Sequence, residues 1–169
     1  MKRAAMVMAM VLGGCAASTL GGTSGAAPDR APVGAADKPA LRILADADAN
    51  GRRPVALDVV RVADPEMARR LDGLDAAAWF RTRTALVKES AGRLAVTSWE
   101  MVPGQTVQLH SLPPFAASSG AATPAATVIF ARYAAPGLHR RAIPGAPALQ
   151  IRLERDGFTA QPNATGETP

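Results

Sequence analysis

The chain has 169 residues, a formal net charge of +5 and a single cysteine, and 48% of its residues are hydrophobic while only 4% are aromatic. That length holds one domain, and a lone thiol excludes an internal disulfide, so the fold has to stand on a core of aliphatic side chains. The basic excess is mostly arginine spread along the chain, which is not the clustered footprint that nucleic acid requires.

Met1-Lys2-Arg3 opens the chain with two positive charges, Ala4 to Leu12 follows as an apolar run, and Leu12-Gly13-Gly14-Cys15 closes it. The run is far shorter than the roughly 20 apolar residues of a spanning helix, which marks residues 1–14 as a processed leader. Its spelling resembles a bacterial lipoprotein signal. The resemblance implies lipidation at Cys15, with a diacylglycerol on the thiol and an acyl chain on the amine. Two or three chains hold a protein at a membrane where one alone is marginal. Ala16 stands where an aspartate is the usual inner-membrane retention signal, so the resemblance favours the periplasmic face of the outer membrane. Lys2 and Arg3 belong to the leader, so the excess falls from +5 to +3 on the remainder.

Residues 15–39 form the lipidated terminus and a tether. From Ala16 to Pro39 the chain is rich in Gly, Ala, Ser, Thr and Pro, with no large apolar side chain after Leu20. Such a segment buries too little to fold and spans roughly 25 to 30 Å as a random coil.

From Ala40 the pattern alternates. Leu41, Ile43 and Ala45 share a side opposite Arg42 and Asp46, which predicts a half-buried strand. Asn50-Gly51 supplies the turn of a first hairpin, and Val55 to Val62 is the returning strand. Asp64-Pro65-Glu66 has the chemistry of a helix start, with Met67, Leu71 and Leu74 on one face. Asp75 caps a second helix over Ala76 to Glu89 that brings Trp79 and Phe80 inward. Strands are predicted again over Arg93 to Met101 and Gln105 to Leu112, joined as a hairpin at Pro103-Gly104. Ala125 to Tyr133 reads as a central strand, and Leu138 to Ile143 and Ala148 to Glu154 complete the set. About seven to eight short strands with a small helical insertion predict a mainly β fold, a β-sandwich over residues 40–158, with 159–169 a disordered tail.

The succession of parts also resembles a known family. A lipobox and tether are followed by the Asn-Gly loop with Arg53-Pro54-Val55-Ala56-Leu57. A helical excursion then precedes Val102-Pro103-Gly104-Gln105-Thr106, Phe130-Ala131-Arg132-Tyr133 and a late basic strand. This order is similar to that of the outer-membrane lipoprotein of the type VI secretion system, the TssJ (SciN, VasD) family. The resemblance implies a transthyretin-like sandwich that binds the periplasmic domain of a large inner-membrane secretion component. It implies partner binding by the loop between the first two strands, here Asp48, Asn50, Gly51, Arg52 and Arg53. The longer helix around Trp79-Phe80-Arg81-Thr82-Arg83 and the proline-rich stretch near the end depart from the family's pattern.

Catalytic signals are sparse. His110 and His139 have no metal-ligand spacing, and there is no G-x-S-x-G, P-loop or dinucleotide fingerprint. Asp46, Asp48, Asp58 and Asp64 have ordinary uses near turns and helix starts. The expectation is a non-enzymatic, lipid-anchored protein with no metal, no cofactor beyond its covalent lipid and no nucleic-acid partner. The main alternative is a periplasmic small-molecule or glycan-binding lipoprotein, which needs a concave apolar pocket. A cell-wall hydrolase with paired carboxylates is the third.

Overall fold

Strand β2 (Val55–Val62) lies between two apolar layers, and its alternating side chains organise the computed structural model, which describes residues 39–116, 120, 123–145 and 148–163. Successive strand residues point to opposite faces. Val55, Leu57 and Val59 enter one cluster, while Val60 and Val62 enter another on the far side. A strand buried on both faces reads as a largely apolar run, and β2 is apolar apart from Asp58 and Arg61.

Beside β2 lie β3 (Leu94–Met101) and β5 (Ala126–Arg132), and β6 (Arg140–Pro144) flanks β5, so the sheet runs β3-β2-β5-β6 with every pair antiparallel. The second sheet contains β1 (Leu41–Ala45), β4 (Thr106–Leu109), β7 (Leu149–Leu153) and β8 (Phe158–Pro162), in the order β4-β1-β7-β8. There β1 is antiparallel to β4 but parallel to β7, with Ile43 level with Ile151. Leu41, Ile43, Leu149, Ile151 and Leu153 meet Leu57, Val59 and Ile129 between the sheets. Each such aliphatic side chain stabilises the fold by about 1.5 to 3 kcal/mol through burial. The described residues thus form the expected mainly β sandwich of eight strands.

The helical insertion is α1 (Pro65–Asp72) and α2 (Ala76–Glu89), between β2 and β3. Asp64 accepts from the Met67 amide at 2.8 Å and Asp75 from the Ala78 amide at 2.6 Å, so each helix starts on a carboxylate cap. Met67, Leu71 and Trp79 cover Val60, Val62 and Phe130 on the outer face of the first sheet. Trp79 stacks on Phe130 with centroids 4.8 Å apart and planes at 7°. Its indole donates to Asp58 Oδ2 at 2.8 Å, and Arg83 Nη1 donates to both oxygens of that buried carboxylate at 2.7 and 2.9 Å.

Three sequence expectations are corrected. β1 and β2 are not a hairpin but belong to different sheets, so the Asn50-Gly51 loop crosses the sandwich. β3 and β4 are likewise in different sheets. Gly104, at φ +82°, donates its amide to the Ala45 and Asp46 carbonyls at 3.0 and 3.2 Å, and β1 captures the chain as it leaves the turn. The tail expected from residue 159 begins instead as β8, paired antiparallel with β7 from Leu153 opposite Phe158 to Leu149 opposite Pro162. Ala160 anchors it in the core, and the preceding Asp156-Gly157 turn is closed by the Glu154 amide on the Gly157 carbonyl at 2.8 Å. Residues 164–169, and the Cys15 signal and tether up to residue 38, lie outside the described residues.

Register gathers one set of connections at a single pole. Ala45 is level with Leu153, Leu44 with Thr106, Val55 with Met101 and Ala56 with Arg132. The β1–β2, β3–β4, β5–β6 and β7–β8 loops therefore share one end of the sandwich. The chain enters β1 at the other end, where the Ala40 carbonyl accepts from the Leu149 amide at 2.9 Å and Asn163 Nδ2 donates to the Pro39 carbonyl at 3.4 Å.

Candidate functional site

The loop pole is built around the β1–β2 crossover. Asn50, Gly51 and Arg52 are consecutive left-handed residues at φ 50°, 61° and 68°. Asparagine and glycine accept this conformation readily; an arginine there costs about 1 to 2 kcal/mol and has to be held. The Arg52 amide is fixed on the Ala49 carbonyl at 2.9 Å, and Ala49 itself is buried in the core.

Asn50 is turned inward. Only 7% of it is exposed. Its Nδ2 donates to the Pro54 carbonyl at 2.9 Å, its Oδ1 accepts from the Ala134 amide at 2.7 Å, and its own amide donates to the Glu154 carbonyl at 3.1 Å. One residue thus stitches the β1–β2 loop to the β5–β6 and β7–β8 loops. Of the five residues expected to meet a partner, Asn50 consequently has its side chain engaged internally. Gly51, Arg52 and Arg53 are exposed, and Asp48 is half-buried.

Charges around this frame are unevenly committed. Asp46 accepts from Arg152 Nε at 3.0 and 3.2 Å, and that hydrogen bond raises the Arg152 pKa above its ordinary value. Arg155 approaches Asp48 at 4.0 Å, whereas no ion pair among the described residues involves Arg52 or Arg53. An open cleft of about 300 Å³ lies between the loops, lined by Asn50, Gly51, Arg53, Ala134, Ala135, Arg155 and Asp156. Two exposed aliphatics stand on the same pole, Val102 after β3 and Leu138 before β6, at 55% and 73% exposure. Sequence reasoning missed Arg155 and Asp156 because they sit in the β7–β8 turn; Asp156-Gly157 is a turn signal that could have located it.

The remaining candidates have structural partners. Trp79 is core, and Phe80 is half-buried with the guanidiniums of Arg83 and Arg132 at 5.1 and 5.9 Å from its ring. His139, at φ 42°, stacks on Tyr133 at 4.8 Å, and its Nε2 lies 2.7 Å from the Ala135 carbonyl. It is half-buried, while His110 is exposed just beyond β4. Burial pushes the Tyr133 phenol well above its ordinary pKa. Among the described residues the buried Tyr133 hydroxyl has no hydrogen-bond partner. Asp46 binds Arg152, Asp58 binds Trp79 and Arg83, and Asp64 caps α1. Among the described residues no three His, Cys, Asp or Glu side chains are grouped to hold a metal, and no helix is long and apolar enough to cross a membrane.

No protein-family model and no curated protein matches the sequence. Solved structures do match its fold. The chain is similar over 75% of its length, and 95% of the other's, to the T6SS lipoprotein TssJ1 from Pseudomonas aeruginosa, with a TM-score of 0.51 and 14% identity. It is similar over 72% of its length to a chain of a type VI membrane complex, covering 95% of that chain with a TM-score of 0.51 and 18% identity. A chain in the structure of the T6SS protein TssM C-terminal domain (869–1107) from EAEC is matched over 98% of its length and 72% of this one, with a TM-score of 0.51 and 19% identity. The fold of this chain is TssJ-like.

Proposed function

We propose that this protein is an outer-membrane-anchored lipoprotein that docks the periplasmic part of a type VI secretion membrane complex, and that it performs no catalysis. The observation that carries the reading is polar. The chain enters the sandwich at one end, and the loops with exposed Arg52 and Arg53 crown the other. A lipid on Cys15 and a tether through residue 39 would leave that crown facing the periplasm. The TssJ-like fold supports the same role. Retention comes from the acyl chains, reach from the tether, and a rigid face from the stitched loops. Confinement at the membrane then raises the effective concentration for a partner.

The lipid-anchor half is tested by fractionating cells that express Cys15→Ser. The variant is expected to stay folded, leave the membrane and abolish secretion; continued membrane association would sink the anchor. The docking half is tested by in-cell crosslinking of the full-length protein followed by mass spectrometry. A large inner-membrane secretion component is expected among the products. Recovery of only lipid or glycan would replace docking with the ligand-binding alternative.

A further inference from the structure

The four strands that border the two sheets are protected unequally. β4 spans four residues, and β6 and β8 five each; β6 carries Arg140 and Arg141 and ends on Pro144, and β8 ends on Pro162. Short, charged or proline-ended edges are the means by which sheets avoid pairing with other chains. β3 has none of these devices: it is eight residues long, contains no proline and carries Glu100 as its single charge. Apart from β2, no backbone hydrogen bond among the described residues links β3 to anything.

A groove accompanies this bare edge. Between α2 and β3 lies an open space of about 280 Å³ lined by Arg83, Thr84, Val87, Val96 and Ser98. Val87 is 38% exposed there, and Val102, 55% exposed, directly follows the end of β3 at the loop pole. Two of the three exposed large hydrophobics among the described residues therefore stand along one edge strand. Arg83 binds Asp58 through Nη1 alone, and its side chain remains 40% exposed, which leaves further N–H donors at the groove.

We infer that the β3 edge receives an extended segment of the same partner that docks on the loop pole, adding it as a fifth strand. Strand addition takes its affinity from main-chain hydrogen bonds and its selectivity from pockets for alternate side chains. Here the alternate side chains are apolar and enter the groove between Val87 and Val96, and an acidic group on the segment meets Arg83. The partner is placed here because β3 runs without interruption from Val102, on the docking pole, to the groove. The inference rests on the docking reading for the identity of the partner but not for the open edge.

The test places a photo-crosslinking residue at Ser98 or at Arg53 in the full-length lipidated protein, in cells, and maps the crosslinked peptides. Both positions reaching one inner-membrane component, with Ser98 on an extended stretch bearing alternate apolar residues, is the expected result. Capture at Arg53 with none at Ser98 overturns the edge inference and leaves docking intact. Capture of that stretch at Ser98 with none at Arg53 supports the edge and removes the loop pole from the interface. Silence at both positions, or a second copy of this chain at Ser98, overturns the edge inference. In purified material, partner binding is expected to slow amide exchange across residues 94–101. The pair Val87→Glu and Ser98→Lys is expected to weaken binding about tenfold without lowering the melting temperature. Unchanged exchange in a bound complex overturns the proposal as well.

Discussion

The Ala134 amide donates a 2.7 Å hydrogen bond to Oδ1 of Asn50, joining two loops that lie 84 positions apart in the chain. The same side chain donates to Pro54, so a residue whose place in an Asn-Gly pair suggests a simple turn in fact clamps the pole from within. This sets the exposed arginines on a frame that is ordered before any partner arrives, which lowers the ordering cost of binding.

Replacing Asn50 by alanine leaves the Ala134 amide and the Pro54 carbonyl without their partner and puts a β-carbon side chain with no local hydrogen bond at φ 50°. The expected cost is about 2 to 3 kcal/mol in urea unfolding, with Asn50→Asp milder because the acceptor survives. An Asn50→Ala variant as stable as the parent would show that the loop is held by other means.

Asp58 is a carboxylate at 1% exposure whose two oxygens are shared by Trp79 and Arg83. Asp58→Ala strands the indole N–H in the core and is expected to destabilise by about 3 to 4 kcal/mol. Trp79→Phe retains an aromatic ring over Phe130 and is expected to cost less, about 1 to 2 kcal/mol. Equal losses for the two variants would contradict the assignment of Asp58 as the centre of this contact.

The folded state favours the neutral Tyr133 phenol, because burial raises its pKa above the ordinary 10.0. Its contribution is therefore complete below pH 10.0 and is lost as the pH climbs above that value. Tyr133→Phe is expected to flatten this alkaline decline and, since the hydroxyl has no partner among the described residues, to leave neutral-pH stability unchanged or improved by less than about 1 kcal/mol. Tyr133 is the chain's one tyrosine, so tyrosinate absorbance follows its titration directly; ionisation at the ordinary value would refute the burial argument.

Arg52 and Arg53 are exposed and make no ion pair among the described residues. Reversing both to glutamate is expected to change stability by less than about 0.5 kcal/mol while weakening partner binding tenfold or more, mainly through slower association. Unaltered association kinetics would take these two side chains out of the interface.

Local features of this fold were readable in advance. Asp64 and Asp75 announce both helices because capping is chemistry within four residues; β2 stands out by its valines and leucine, and β5 because a strand buried on both faces carries adjacent apolar residues, here Val128, Ile129 and Phe130. Pairing was not readable. Pro103-Gly104 and Asn50-Gly51 say that the chain turns, not into which sheet it turns, and the parallel partnership of Ile43 with Ile151 has no local trace. β8 escaped notice because its inward side has only the small Ala160 fully buried, beside a partly buried Phe158. At the pole, the exposed arginines were visible as charges in a loop, but the inward turn of Asn50 depends on the Ala134 amide, which only the folded chain brings near.

The placement of β1 also decides how the domain bears load. β1 is an inner strand, flanked by β4 and parallel β7, and the chain reaches it at the end opposite the loop pole. A pull between that end and the loop pole runs along the strand axes. Hydrogen bonds between strands lie across that direction, so they are strained together in shear and do not unzip one after another. The domain is thereby suited to carry tension between the end where the chain enters β1 and the loop pole.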